Sequence, residues 1–211
     1  MGLYLFGVIL AILVALVLKS TKFKGQPVPF VMELPNYRLP SAKSVALLLW
    51  EKAKDFLSRA FTVILLATVI IWFLQSFDYK LNYITDGTQS ILAYIGKFIA
   101  VIFKPLGFGD WRVVTALISG FTAKEAVVSS LAVLSGTSAD MLSAVLPSMF
   151  TPLSAVSFLV FTLLYTPCVA TISTIRKEFK SFWATLGIVV MQCLVAYVAA
   201  LIIFQVGSLF I

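Results

Sequence analysis

The sequence contains no histidine, only two cysteines and few charged residues. Without histidine, the chain has no imidazole metal ligand, no histidine proton relay and no serine–histidine catalytic pair. Charged residues make up 12% of the chain and hydrophobic residues 61%, which excludes a soluble globular domain and is typical of a polytopic membrane protein. Both cysteines, Cys168 and Cys193, fall in apolar segments, so no structural disulfide is expected.

The net charge of +7 comes from basic residues that lie beside apolar segments, which argues against a nucleic-acid surface. Thirteen of the sixteen lysines and arginines fall on what would be one side of a membrane, and the loops of the other side hold only Lys80. Such an excess is typical of cytoplasmic loops. It predicts a multi-pass protein of the cell inner (plasma) membrane, surrounded by lipid, with the N-terminus outside and the Arg176 region in the cytoplasm.

The order of apolar, proline-rich and amphipathic stretches predicts an all-α transmembrane bundle. Residues 1–18 form a transmembrane helix, and residues 19–40 form a proline-rich cytoplasmic linker. Residues 41–59 form an interfacial amphipathic helix that Ser41 caps. Residues 60–211 hold the remaining membrane segments. The six apolar segments are Leu3–Leu18, Ala60–Leu74, Ser90–Phe103, Trp111–Leu134, Thr151–Ile175 and Ser181–Phe204.

The lengths of two of these segments predict different kinds of helix. Ser90–Phe103 is short for a full crossing, so it is predicted to be a half-helix or a re-entrant piece. Trp111–Leu134 is predicted to be the longest continuous helix, capped by Asp110. A short helical piece is expected from Ala139 to Leu146.

The Thr151–Ile175 segment carries the first candidate site, because Pro167 stands in its middle. Proline lacks an N–H and clashes with the preceding turn, so it breaks the helix and leaves the Leu163 carbonyl without its partner. Cys168 follows at once, and a thiol beside an unpaired carbonyl could serve an intramembrane ion. The alternative is an ordinary proline kink beside an inert cysteine.

Glu125 is the second candidate, because a carboxylate within a membrane segment is costly and therefore uncommon without a use. On a continuous helix, Thr122 and Ser129 would share its face and hold it towards the interior. Together with Cys168, Glu125 would supply a thiolate and a carboxylate to a divalent first-row metal ion, with both side chains facing one polar cavity. Lys124 would point elsewhere. The alternative is a structural ion pair of Glu125 with Lys124 or Arg112.

Four stretches in the same order resemble the C-terminal part of the ferrous iron transport protein B family of prokaryotes. They are Met32–Pro40 (MELPNYRLP), Trp50–Leu57 (WEKAKDFL), Gly120–Val128 (GFTAKEAVV) and Tyr165–Ile172 (YTPCVATI). The resemblance implies a membrane domain of two related gate modules, regulated by an N-terminal GTPase domain. It makes residues 60–211 a gate-type transmembrane domain, with Pro167 and Cys168 at the proline–cysteine pair of the second gate.

The sequence departs from that family in having no GTPase domain, no phosphate loop and no first gate. The expectation is therefore a non-enzymatic second gate part that transports Fe²⁺ as substrate, holds no resident cofactor and can form a homo-oligomer. Its GTPase and first gate would lie on a separate chain or have been removed. One alternative is a non-transporting assembly subunit similar to the gate-like spore maturation proteins. The other is a nucleoside carrier fragment, for which the membrane segments offer only Gln192, Gln205 and Glu125.

Overall fold

The computed structural model describes residues 1–21, 41–84, 87–165 and 168–209, and these residues are predominantly helical. This confirms the all-α prediction. Outside the helices, the described ranges contain one isolated antiparallel bridge, between Phe77 and Tyr83. The helices are α1 (Gly2–Thr21), α2 (Ala42–Arg59), α3 (Leu65–Ser76), α4 (Ile91–Phe103), α5 (Trp111–Ser119), α6 (Ala126–Leu134), α7 (Leu142–Met149), α8 (Pro152–Leu164), α9 (Val169–Phe179) and α10 (Phe182–Ser208).

The described residues form two compact units, Met1–Phe56 and Leu57–Ile211. The first unit contains α1 and most of α2. As predicted, α2 begins directly after Ser41, whose hydroxyl oxygen accepts a hydrogen bond from the Ser44 backbone N–H at 3.3 Å. Most of the predicted linker, residues 22–40, lies outside the described residues.

Three stretches are long and apolar enough to cross a membrane, as judged by length and composition: Gly2–Ser20, Pro152–Phe179 and Phe182–Ser208. A π-helical turn, Ala60–Ile64, precedes α3, and the apolar helix Phe61–Ser76 that they form is shorter. The predicted half-helix is present as α4, which a 3-10 turn extends to Leu106. It forms a bent pair with α5, at an angle of 107°.

The prediction of one continuous helix over Trp111–Leu134 is wrong. The Asp110 cap is confirmed, since its carboxylate accepts from the Arg112 N–H at 2.8 Å, but α5 ends at Ser119 and α6 begins only at Ala126. The physical reason is that the Phe121 carbonyl is not used within a helix. It accepts the Val169 backbone N–H, 3.1 Å away, at the start of α9. The longest helix is instead α10, with 27 residues.

The predicted break within Thr151–Ile175 is confirmed, because α8 ends at Leu164 and α9 begins at Val169. The Tyr165 backbone N–H donates to the Phe161 carbonyl at 2.8 Å and closes the last turn of α8. Pro167, to which the sequence assigns this break, lies outside the described residues.

Helix α10 supports α8 and so fixes where α8 ends. The Ser157 hydroxyl donates to the Ala200 carbonyl at 3.1 Å, and both residues are fully buried, as is Ala196. Small residues allow the two backbones to approach closely, as is common between membrane helices. An aromatic cluster packs next to this contact and consists of Phe103, Phe108, Phe158, Phe161, Tyr165 and Tyr197.

Sidedness within the second unit can be tested with two introduced cysteines, Ser138→Cys and Glu178→Cys, after replacement of the native pair by serine. Both positions are exposed, and Glu178 adjoins the basic cluster that predicts a cytoplasmic location. Leu134 and Gly87 line one cavity, so the end of α6 lies beside the loop that the charge bias places outside. A membrane-impermeant thiol reagent is therefore expected to label the two cysteines from opposite sides. Labelling of both from one side would contradict this arrangement.

Candidate functional site

The two helix breaks meet directly. The bond from the Val169 N–H to the Phe121 carbonyl joins the start of α9 to the turn between α5 and α6. Cys168 is the residue before α9, and its sulfur lies 3.7 Å from the Thr171 hydroxyl oxygen. Because neither segment is helical at the crossing, backbone groups there bond outside a regular helix, as the Phe121 carbonyl does. Irregular backbone at membrane depth is found where protein or a water-filled cavity surrounds it.

Glu125 lies at this crossing, directly before α6, and its side chain is exposed. Its carboxylate is near enough to Cys168 for the two groups to interact electrostatically. The predicted stripe of hydroxyl partners is wrong, because the chain is not helical between Ser119 and Ala126. The Thr122 hydroxyl donates to the Ser119 carbonyl at 2.8 Å, and the Ser129 hydroxyl donates to the Ala126 carbonyl at 3.2 Å.

The prediction that Lys124 points away from the break is also wrong. Its ammonium nitrogen donates to the carbonyl oxygens of Thr162 at 3.0 Å, Leu163 at 3.4 Å and Tyr165 at 3.4 Å. The Leu163 carbonyl, which the sequence suggested as a free ligand, is therefore bonded by Lys124. A cation at this position is favourable because the end of a helix presents unpaired carbonyls and a partial negative charge.

Tyr165 is the residue that the sequence reasoning missed. Its ring stacks on Phe161 with centroids 5.5 Å apart, and the Lys124 nitrogen lies 4.8 Å from the ring centroid. The side chain is 6% exposed, and its hydroxyl has no hydrogen-bond partner among the residues that the structure describes. Both Cys168 and Cys193 lie within electrostatic range of it. The only sequence signal was its position directly before the Thr-Pro-Cys triplet.

A cavity of about 420 Å³ with a mixed polar and apolar lining lies beside α5 and α6. Three buried hydroxyl residues, Thr115, Ser119 and Thr122, lead from its wall to the α5–α6 break. The Gln75 amide donates to the Ser119 hydroxyl at 3.0 Å, and that hydroxyl donates to the Thr115 carbonyl at 3.1 Å. The cavity is lined by Gln75, Ser76, Tyr83, Ile84, Gly87, Ser90, Thr115, Ser129, Ser130, Val133 and Leu134.

The described part of the chain brings no three cysteine, aspartate or glutamate side chains together as a metal cluster. The crossing offers one thiol and one carboxylate, Cys168 and Glu125, with Lys124 within electrostatic range of the thiol. Glu125 forms no ion pair with Lys124 in the described ranges, and Arg112 contacts Asp110 at 3.8 Å instead. These two donors are few for a metal site, and the positive charge of Lys124 repels a cation. The arrangement therefore favours brief contact with a cation over tight binding.

Comparisons with known proteins match both parts of the chain. Residues 57–182 match the Gate family, described as nucleoside recognition, and residues 1–52 match the family described as ferrous iron transport protein B C terminus. The Fe(2+) transporter FeoB of Staphylococcus aureus strain MSSA476 is 42% identical over 212 residues, covering 100% of this chain and 32% of the relative. The protein of the same name from Methanocaldococcus jannaschii is 38% identical over 216 residues, covering 99% of this chain and 32% of the relative.

A third relative, the Fe(2+) transporter FeoB of Campylobacter jejuni serotype O:2, is 36% identical over 214 residues, covering 95% of this chain and 35% of the relative. The chain thus spans about a third of the length of these curated relatives. No solved structure matches the chain significantly.

Proposed function

The chain belongs to the Gate family and corresponds to the C-terminal membrane portion of Fe(2+) transporter FeoB proteins, and from this premise we propose that it forms part of a path for ferrous iron across the membrane. The observation that carries the proposal is the crossing of two helix breaks, joined by the bond from the Val169 N–H to the Phe121 carbonyl. Discontinuous helices that meet within the membrane supply backbone ligands and helix ends to ions.

The proposed path begins at the cavity beside α5 and α6 and follows the buried hydroxyls to the crossing. Ferrous iron is a hydrated dication, so an apolar region is impassable unless protein groups replace its water and balance its charge. Cys168 as thiolate supplies a soft donor, and Glu125 supplies a hard anionic oxygen. Two anionic donors are too few to replace the whole hydration shell of the ion, so the ion keeps part of its water there and leaves readily.

We assign this chain to a multi-pass arrangement in the inner (plasma) membrane, in contact with lipid. It acts as the second gate part, has no enzymatic activity of its own and holds no resident cofactor. The GTPase and first-gate parts come from another chain or from a longer form of the protein. Assembly into a homo-oligomer is compatible with this role, and no nucleic acid takes part.

The test of this function is ferrous iron uptake by Cys168→Ser, measured in cells that also supply the GTPase and first-gate parts. Serine is close to cysteine in size but lacks the soft thiolate, so the fold is expected to persist while uptake falls by about tenfold or more. Cys193→Ser is the matched control and is expected to transport at the wild-type rate. Wild-type uptake by Cys168→Ser would eliminate the thiol as a ligand. Nucleoside uptake in the same cells would identify a different cargo.

Glu125→Gln tests the carboxylate separately. It keeps the size and the hydrogen-bonding oxygen of the side chain but removes the charge that offsets that of the dication. Iron uptake is expected to fall by roughly tenfold, with an unchanged elution profile of the purified protein. Glu178→Gln, an exposed carboxylate on α9, is the control and is expected to transport normally. If Glu125→Gln transports iron at the same normal rate as Glu178→Gln, Glu125 has no part in the path.

A further inference from the structure

The Lys124 ammonium is held as a free cation would be held. It has three N–H donors, and backbone carbonyls of three residues, Thr162, Leu163 and Tyr165, lie within 3.0–3.4 Å of its nitrogen. The face of the Tyr165 ring lies 4.8 Å away and adds a cation–π contact. We call this binding position the α8 seat; it consists of the carbonyls of Thr162, Leu163 and Tyr165 and of the Tyr165 ring.

The α8 seat binds its cation through neutral groups, three carbonyl oxygens and an aromatic ring. In the described ranges Lys124 forms no salt bridge, and the neighbouring Glu125 side chain is exposed. Carbonyl oxygens that replace a hydration shell are the ligands by which membrane proteins hold small cations such as potassium. The position of the ammonium therefore indicates the kind of ligand that the seat accepts, namely a small cation.

We propose that the α8 seat is a cation-binding site, and that Lys124 fills it as a tethered cation that keeps the path at the crossing closed. The proposal rests on the proposed function, because it gives that path a gate. Lys124 belongs to the α5–α6 break, whereas the seat belongs to the end of α8, so the contact ties the two elements together. Its charge also interacts with Cys168, where it opposes the approach of a dication.

Opening then requires the ammonium to leave the seat. Once Lys124 has moved, the repulsion at Cys168 falls and the carbonyls are free to replace water on a passing ion. The side chain is only partly buried, so the ammonium can reach water on leaving. An arriving ferrous ion and the ammonium compete for the same oxygens, and only one of them can be bound at a time.

The test uses the whole transporter, with this chain and its GTPase and first-gate parts, in sealed vesicles without an energy source. Thallous ion is the probe, because it is monovalent, binds carbonyl oxygens and quenches an enclosed dye. Lys124→Met empties the seat while keeping an apolar stem of similar length. Its thallous influx is expected to exceed the wild-type rate at least tenfold. Ethylammonium at millimolar concentration is expected to suppress that influx by filling the vacant seat.

Lys97→Met is the matched control. The Lys97 ammonium also donates to a carbonyl, that of Thr88 at 3.3 Å, and lies over the rings of Tyr94 and Trp111, but it is on α4, away from the crossing. Its influx is expected to equal that of the wild type. A folded Lys124→Met transporter with wild-type influx would overturn the proposal, as would an influx insensitive to ethylammonium.

Tyr165→Leu is the second variant, for the case in which Lys124→Met does not fold. It removes the ring from the seat but keeps the ammonium and its carbonyls, so influx is expected to rise by roughly fivefold. No rise would contradict the proposal. Iron uptake by the wild type without a leak in either variant would refute the seat and leave the proposed function standing. An ethylammonium-sensitive leak without iron uptake by the wild type would support the seat and refute iron as cargo.

Discussion

Replacing Gly120 with alanine is expected to abolish ferrous iron uptake and to lower the apparent melting temperature of the purified protein by several degrees. A Cβ atom at this position would overlap the Val127 side chain and would lie 3.0 Å from the Tyr165 hydroxyl. The Gly120 backbone has an ordinary right-handed conformation, with φ −64° and ψ −11°, which alanine also adopts. Glycine is therefore needed here for lack of space and not for its backbone angles. Overpacking of this kind costs about 1–3 kcal/mol and would push the α5–α6 break away from the end of α8.

The controls separate lack of space from a general effect of alanine. Gly187→Ala, on α10, is expected to behave as the wild type, because no atom of the described ranges lies within 4 Å of the Cβ position. Val127→Ala in combination with Gly120→Ala is expected to restore part of the uptake, since it removes the overlapping methyl groups. If Gly120→Ala transports iron normally, close approach at the crossing is not needed for function.

The helices themselves could be predicted because their signals are local. Apolar runs of sufficient length, interrupted by polar turns, identify the membrane segments, and capping residues identify where helices begin. Ser41 and Asp110 were predicted from these signals as caps, and both accept the expected backbone N–H bonds. The shortness of Ser90–Phe103 likewise predicts a half-helix, and α4 with its 3-10 extension forms a bent pair with α5.

The break between α5 and α6 could not be predicted, because its cause is distant in the sequence. Two thirds of the run Trp111–Leu134 is apolar or glycine, and hydropathy does not distinguish one helix from two. What favours the break is a partner for the Phe121 carbonyl, and that partner is the N–H of Val169 on another segment. A proline, by contrast, removes an N–H locally, and the break in Thr151–Ile175 was therefore visible in the sequence.

The candidate site was predicted in part. Two rare features, a charge within a membrane segment and a cysteine beside a proline, pointed to Glu125 and Cys168, which the structure brings within electrostatic range. The directions of the neighbouring side chains were wrong because they assumed about 100° of rotation per residue, which applies only inside a helix. Once the chain leaves the helix at Gly120, Lys124 is free to turn towards α8.

The second large effect is expected from a substitution that disturbs the packing of α8 on α10. Ser157→Leu is expected to prevent recovery of folded, monodisperse protein and thereby to abolish iron uptake. Ser157 is 0% exposed, as are Ala196 and Ala200 on the facing helix, so three additional carbon atoms have no space. Because the α8 seat and the start of α9 follow directly from this helix, a wedge between α8 and α10 would displace the carbonyl oxygens that hold Lys124.

Two further variants test whether Ser157→Leu acts by forcing α8 and α10 apart or by another cause. Ser157→Ala removes only the hydrogen bond to the Ala200 carbonyl, and such bonds between membrane helices average about 0.6 kcal/mol, so uptake and elution profile should remain near the wild type. Val156→Leu adds one carbon at the adjacent position, which is 44% exposed, and is expected to be tolerated. Size-exclusion chromatography and iron uptake of the three variants provide the measurement. Since close packing of the helices positions the seat, a folded and active Ser157→Leu protein would contradict that dependence directly.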